Sequence, residues 1–431
     1  MRAARLSALL LAASSLVLSA SPQVAAQGGG TPTVLEVPGL VTAVPWVAAD
    51  GAFVAVAFGA SRPGAGGSDV YVAMSRDGGR RFDAPVRVNA VEGEARLGGD
   101  LPPRIALAPA AGAAPGIVVA YGVKAGNTSI VVARSRDGGR TFAPATRMQA
   151  EGAAGDRGWQ ALAVDDAGAA HVLWLDHRGL AAQKSKPTEH DHMDGAAMAQ
   201  LSGLYYASTN GQQERELVKG VCYCCKTALA TAPGGRLFAA WRQVYPGNIR
   251  DIAFLASTDG GRTFSAPARV SDDGWQLAGC PDDGPALAVD ASGRAHIAWP
   301  TVIGGDTPEG AIFYASTADG QRFTPRLRVP TLGAPRPQHP QVVVTGPGQV
   351  AIAWDESTAG RRQAAVRALR IDGSGTGVFG DALLLGGAEA STYPVLAVTS
   401  EGLLAAWTAG PPTSSHIAVA LVTPPAPDGS R

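Results

Sequence analysis

Short apolar runs with period-two alternation recur along this chain, and they come in pairs. Each pair is an alternating strand, a small turn rich in Gly, Asp or Ser, and a second strand that ends near an aromatic residue. The pairs are Trp46–Phe58, Arg104–Tyr121, Gln160–Trp174, Thr227–Trp241, Pro285–Trp299, Gln341–Trp354 and Pro394–Trp407. Alternation bounded by turn residues predicts β-hairpins. Two further strand-like runs follow each of the first six pairs, as Asp69–Met74 and Ala84–Val88 follow the first. Repeats of four strands at this spacing predict an all-β fold, a seven-bladed β-propeller of four-stranded blades. The seventh unit has three strands, Pro394–Val398, Leu403–Trp407 and His416–Val422. The segment Thr33–Val37 is expected to supply the fourth, closing the ring and removing both sheet edges.

A second repeat lies between the pairs. Ser75-Arg-Asp77-Gly-Gly-Arg-Arg-Phe82 returns around Asp137 and Asp259 and, more loosely, as Ser316-Thr-Ala-Asp319-Gly-Gln-Arg-Phe323. The aspartates are 60, 122 and 60 residues apart. The double interval predicts a degenerate copy, and Ser208-Thr-Asn210-Gly211 occupies the gap. This motif resembles the Asp-box, or bacterial neuraminidase repeat, of the sialidase superfamily. The resemblance implies a propeller, six blades being the family habit and therefore the alternative to seven. It also places the motif on the turn between the third and fourth strands of a blade. The residues suit that turn: Asp accepts from backbone N–H groups, Gly-Gly takes positive φ and Phe returns to the core. The aspartates of the motif are therefore structural, and a site is expected on the opposite face.

The N-terminus sets the compartment. Arg2 and Arg5 precede an apolar stretch, Leu6–Leu18, and Val24-Ala25-Ala26 fits the small-residue cleavage rule. Residues 1–26 are read as a secretory signal peptide and 27–431 as a single propeller domain with a loop insertion at 176–203. The expected product is exported, periplasmic or secreted, without a membrane span. Lys+Arg and Asp+Glu both number 36, so losing Arg2 and Arg5 leaves 34 against 36, a net charge of −2. That balance excludes nucleic acid as the expected partner. A monomer is expected, bound to a glycan, a small acidic ligand or a protein.

The chemistry-bearing residues concentrate in blades three to five. Cys222-Tyr-Cys224-Cys225 and Cys280 each precede an inner strand, and the insertion carries His190, His192, Met193 and Met198. Two readings stay open. An exported chain with an even cysteine count favours disulfides, Cys222–Cys225 with Cys224–Cys280 being the least strained pairing. Alternatively, Cys222, Cys224, Cys225 and Cys280 with His190, His192 and Met193 form a copper or zinc site. Asp176, His177, Arg242 and Arg250 belong to the same face. Glycosidase chemistry is the rival. The resemblance implies three arginines on a substrate carboxylate, a Tyr–Glu nucleophile pair and an Asp acid/base. The candidates are Arg104, Arg242, Arg250, Asp283 and Tyr245, with Arg157, Arg336, Asp355, Glu356 and Tyr393 near them. The sequence reading is thus an exported sialidase-like propeller binding glycan, metal or protein, with an exo-α-sialidase acting on an acidic sugar as the alternative.

Overall fold

The computed structural model describes Val24–Ala25 and residues 31–427, apart from 65, 111, 113, 153, 185–194, 212, 278, 280, 306 and 373–374. Seven antiparallel sheets stand in a ring. Their inner strands are Val41–Asp50, Arg104–Ala108, Arg157–Val164, Ala228–Ala232, Ala286–Val289, Gln338–Gly346 and Ser391–Thr399. Each inner strand adjoins the next, and the seventh adjoins the first. Thr33–Leu35 pairs with His416–Val422 as the outer strand of blade seven, as the missing-strand argument requires. The backbone of Val24–Ala25 also pairs, parallel, with Ala382–Leu383. Residues 1–23, which carry most of the expected signal peptide, lie outside the described residues.

Seven apolar clusters fill the seven interfaces between blades. A core divided this way lets a long chain fold around many small contacts. Trp174, Trp241, Trp299, Trp354 and Trp407 lie in the second strands and are fully buried. Three of these indoles donate to a side chain two residues on, Asp176 (3.2 Å), Gln243 (2.8 Å) and Glu356 (2.9 Å). This repeated Trp-x-acceptor pattern identifies Asp176 and Glu356 as parts of the scaffold.

The Asp-boxes are turns between third and fourth strands. In the third copy the Ser257 hydroxyl donates to Asp259 Oδ1 (2.8 Å), Gly261 N donates to Ser257 Oγ (2.9 Å), and Thr263 donates through its N–H (2.9 Å) and hydroxyl (2.6 Å) to the same carboxylate. The Thr263 hydroxyl, ahead of its backbone N–H and Ser257, brings the Asp259 pKa down to about 2. In the loose fourth copy the hydroxyl comes from Thr317, not Ser316. Phe82, Phe142, Phe264 and Phe323 each pack between their own blade and the preceding one. His171 and His296 form equivalent triads, with Nδ1 2.7 Å from a Tyr hydroxyl and Nε2 beside Asp165 or Asp290. The repetition supports a structural role for both.

Candidate functional site

The inner strands of four blades begin with an irregularity. The register slips between Ala43 and Trp46, Gly158 and Ala161, Gln338 and Gln341, and Thr392 and Val395. At each slip a non-glycine residue has positive φ: Val44 (55°), Trp159 (53°), His339 (54°) and Tyr393 (52°). Left-handed backbone at bulky residues is costly and persists where the surroundings enforce it, most often at functional sites. The bulges turn these residues at the axial mouth on the face opposite the Asp-boxes, because inner strands begin at that face.

Blades one, two, four, six and seven line this mouth, and residues of blades three and five pack behind it. Trp46 comes from blade one, Asp100 from the loop before blade two and Trp159 from blade three. Lys226 and Asp283 precede blades four and five, and His339 and Tyr393 open blades six and seven. A narrow axial cavity is lined by Trp46, Asp100, Lys226, His339, Gln341 and Tyr393. His339 Nδ1 lies 2.7 Å from Asp355 Oδ2, and its ring is 4.2 Å from that of Tyr393. Asp355 also accepts from Tyr393 N (2.8 Å) and Arg362 Nε (2.7 Å). Asp283 Oδ2 accepts from His339 N (2.8 Å), and its Oδ1 lies 3.5 Å from Lys226 Nζ. Lys226 in turn donates to Pro340 O (3.2 Å). Thr227 anchors to Trp159 O through its hydroxyl (2.7 Å).

Asp100 differs from the carboxylates around it. It is partly exposed, yet its Oδ1 is sealed from solvent and has no hydrogen-bond partner among the described residues. Burial, and then the charge of Asp283, raise its pKa to about 7. Burial alone would lower His339, but Asp355 outweighs it and holds the imidazole above its ordinary value. Burial and Asp100 push the Tyr393 phenol to about 12, so it stays protonated. The hydroxyl lies against Gly99, where an added Cβ would meet it at 2.1 Å, so Gly99 is needed for Tyr393 to sit beside Asp100. The mouth therefore holds one carboxyl that gains and loses its proton near neutrality, flanked by two cations and a phenol.

This titration has a consequence for stability. The folded-state pKa of Asp100 lies above that of an unfolded carboxyl, so its contribution is fully present below about pH 4 and is lost as pH rises through 7. Asp100→Asn removes that dependence. The variant should gain on the order of 4 kcal/mol relative to wild type between pH 4 and pH 8. Urea unfolding at the two pH values checks this.

No family model matches this chain, and no curated protein matches it. Solved structures do match. A polysaccharide lyase, an ulvan lyase bound to -[GlcA(1-4)Rha3S]-, covers 92% of this chain and 94% of its own at 12% identity, with a TM-score of 0.53. An α-L-arabinanase of Penicillium chrysogenum in complex with arabinobiose covers 91% and 98% at 14% identity, with a TM-score of 0.49. A Hadza microbial sialidase covers 86% and 76% at 16% identity, with a TM-score of 0.46. At these identities the likeness is one of fold.

The residues singled out from the sequence divide into three groups. Asp283, Asp355 and Tyr393 belong to the axial mouth. Arg104, Arg242 and Arg250 are buried, with most of their donors directed at backbone carbonyls. Arg104 sits 3.6 Å from the Trp46 ring centroid and donates to Gln160 O and Thr227 O. Arg242 stacks on Trp275 at 4.8 Å and donates to Asp283 O, Arg250 O and Pro300 O. Arg250 donates to Leu277 O and Asn248 Oδ1. Tyr245 lies under Arg269 at 4.7 Å, and burial raises it to about 12. Glu356 is occupied by Trp354 and the Ala334 N–H. Asp176 is a buried hub joining Arg157 (3.0 Å) and Arg178 (2.8 Å), and it pins the start of the insertion. That insertion forms two short helices, Arg178–Lys184 and Gly195–Gln200, where a loop was expected.

The third group is the cysteine face. Cys222 pairs with Cys225, their Cα atoms 5.7 Å apart, and Cys224 Sγ lies 3.9 Å from Cys222 Sγ. His177 packs between Trp159 (5.5 Å) and Tyr223 (6.5 Å). Burial lowers its pKa. Its Nε2 is buried without a hydrogen-bond partner among the described residues. Cys280, His190, His192 and Met193 lie outside the described residues. The sequence reading missed Asp100, Lys226 and His339. A signal was present: Pro45, Pro103, Pro285, Pro340 and Pro394 all stand at the start of inner strands. The residues before three of them, Val44, His339 and Tyr393, are three of the four strained ones.

Proposed function

We propose that this chain is an exported, glycan-acting propeller that binds an acidic saccharide over the axial mouth, where Asp100 gives its proton to the leaving glycosidic oxygen and a water takes the glycosyl carbon. The observation that carries this reading is the convergence of side chains from five blades on one small axial cavity, with the buried, unpartnered oxygen of Asp100 in its wall. A general acid works best with a pKa near the working pH, and a carboxyl reaches that range by burial beside a like charge. Lys226 has three donors, of which Pro340 O and Asp283 engage two, leaving one for a saccharide carboxylate. A glycan ligand is in keeping with the ulvan-lyase propeller and the saccharide it binds. Export accords with the apolar N-terminal stretch, and no helix among the described residues is long and apolar enough to cross a membrane.

A binding module without turnover is the second reading. Its support is that Arg104, Arg242 and Arg250 are buried and donate to partners within the protein, which does not present them as a carboxylate clamp. Fluorogenic sialosides, glucuronides and neutral glycosides assayed with the mature chain separate the two. Release from an acidic glycoside that declines above about pH 7 supports hydrolysis. Saturable binding without release supports the module. Neither release nor binding contradicts both.

A further inference from the structure

Five of the seven interfaces between blades receive a phenylalanine from the connection between a third and a fourth strand: Phe82, Phe142, Phe264, Phe323 and Phe379. The apolar clusters between blades two and three and between blades six and seven contain none among the described residues. The degenerate Asp-box of blade three explains the first gap. Phe follows Asp by five residues in three copies of the box, and five residues after Asn210 stands Arg215. Its guanidinium turns toward blade four, 5.3 Å from the Tyr206 ring centroid and 5.4 Å from that of Phe264, and donates to Gly261 O. Val132, three residues before Ser135, is the counterpart of Phe254, three before Ser257, against which Phe323 packs with ring centroids 5.6 Å apart. Val132 receives no such phenylalanine and lines an open cleft of about 820 Å³ between blades two and three. That volume lies in the range of ligand sites.

The walls select the occupant. Val132, Met148 and Ala207 give the cleft apolar surface, and Arg134, Arg136 and Arg147 give it charge. Arg134 is fixed by donating to Gly168 O (3.0 Å) and Thr209 Oγ1 (2.8 Å). Burial, and then the charge of Arg136, lower its pKa. Arg136 and Arg147 are exposed. The one acid of the lining, Asp137, is held by the Ser135 (2.7 Å) and Thr141 (2.6 Å) hydroxyls of its own turn. Basic and acidic residues balance over the whole chain, so three arginines around one apolar cleft are a local excess of positive charge. We propose that this cleft docks a protein partner that presents an aromatic side chain flanked by acidic residues. The ring fills the place left by the missing phenylalanine, as aromatic anchors do in the pockets that dominate interface energies. The flanking carboxylates meet Arg136 and Arg147, which orient the partner and speed its arrival. The cleft adjoins the Asp-box turns, on the face away from the axial mouth, so a docked partner leaves the mouth open.

The test titrates the mature chain into a fluorescein-labelled heptapeptide of Asp and Glu with one central Phe, read by fluorescence anisotropy. Saturable binding is expected. Alanine in place of the central Phe should weaken it at least tenfold, the loss that marks an anchor residue. Arg136→Glu combined with Arg147→Glu should also weaken it at least tenfold. Both side chains are exposed, so far-UV circular dichroism of this double variant should match wild type. Binding that survives either change would overturn the proposal, as would no saturation up to millimolar peptide. An oligoglucuronate bound more tightly than the peptide, and lost in the same double variant, would give the cleft to an acidic saccharide and overturn the choice of partner.

Discussion

Asp100→Asn should lower kcat/KM on the cleaved saccharide by two to four orders of magnitude, the usual contribution of a general acid. Asparagine keeps the size of the side chain but has no proton to give. Saccharide affinity should change by less than about threefold, because Lys226 and the rest of the mouth are untouched. The wild-type rate should fall as pH rises through about 7, where Asp100 loses its proton. The variant's residual rate should lack that limb. A variant retaining more than a third of the wild-type rate would remove Asp100 from the chemistry and leave the mouth a binding site.

The second large effect is structural. Asp355 is fully buried and joins His339, Arg362 and the Tyr393 N–H. Burial works to raise its pKa, and the His339 and Arg362 charges overcome this and hold it low. Asp355→Ala leaves a buried imidazole and a guanidinium without their anion, and removing one partner of a buried pair costs about 3–5 kcal/mol. Asp355→Asn keeps acceptors in place and should cost less. In that variant the His339 pKa should fall, because burial then acts on the imidazole against a weaker opposing charge. Urea unfolding and histidine NMR read the two effects separately. An Asp355→Ala protein as stable as wild type would show that the hub does not hold the mouth together.

The fold was legible because its determinants are local and repeated. Alternation marked each hairpin, the 60-residue spacing of Asp77 and Asp137 marked the blades, and the three-stranded last unit called for Thr33–Leu35. The site was harder to read because each blade gives it one or two residues, far apart in sequence. Asp100 stands alone in a Gly-Gly-Asp-Leu-Pro-Pro loop, and nothing local reveals that Asp283 and Tyr393 will close on it. Chemically unusual residues clustered in sequence, the cysteines and the His-Met stretch, drew attention to blades three to five. Asp176 attracted notice as a carboxylate at a loop edge, but its neighbours are arginines and an indole that occupy it. The arginines were plausible clamp residues by type, yet burial committed Arg104 and Arg242 to carbonyls between blades. Strain at Val44, His339 and Tyr393 is a backbone property, visible in sequence only through the prolines that follow.

The most direct test of the axial site is the titration of Asp100 itself. Carboxyl-13C aspartate labelling, with Asp100 assigned by its absence in Asp100→Asn, gives its pKa by NMR with and without a bound acidic saccharide. The expected value is about 7 in the free chain, and it should move when the saccharide carboxylate enters the mouth. A carboxyl that titrates near 4 and ignores every saccharide tested would contradict the account.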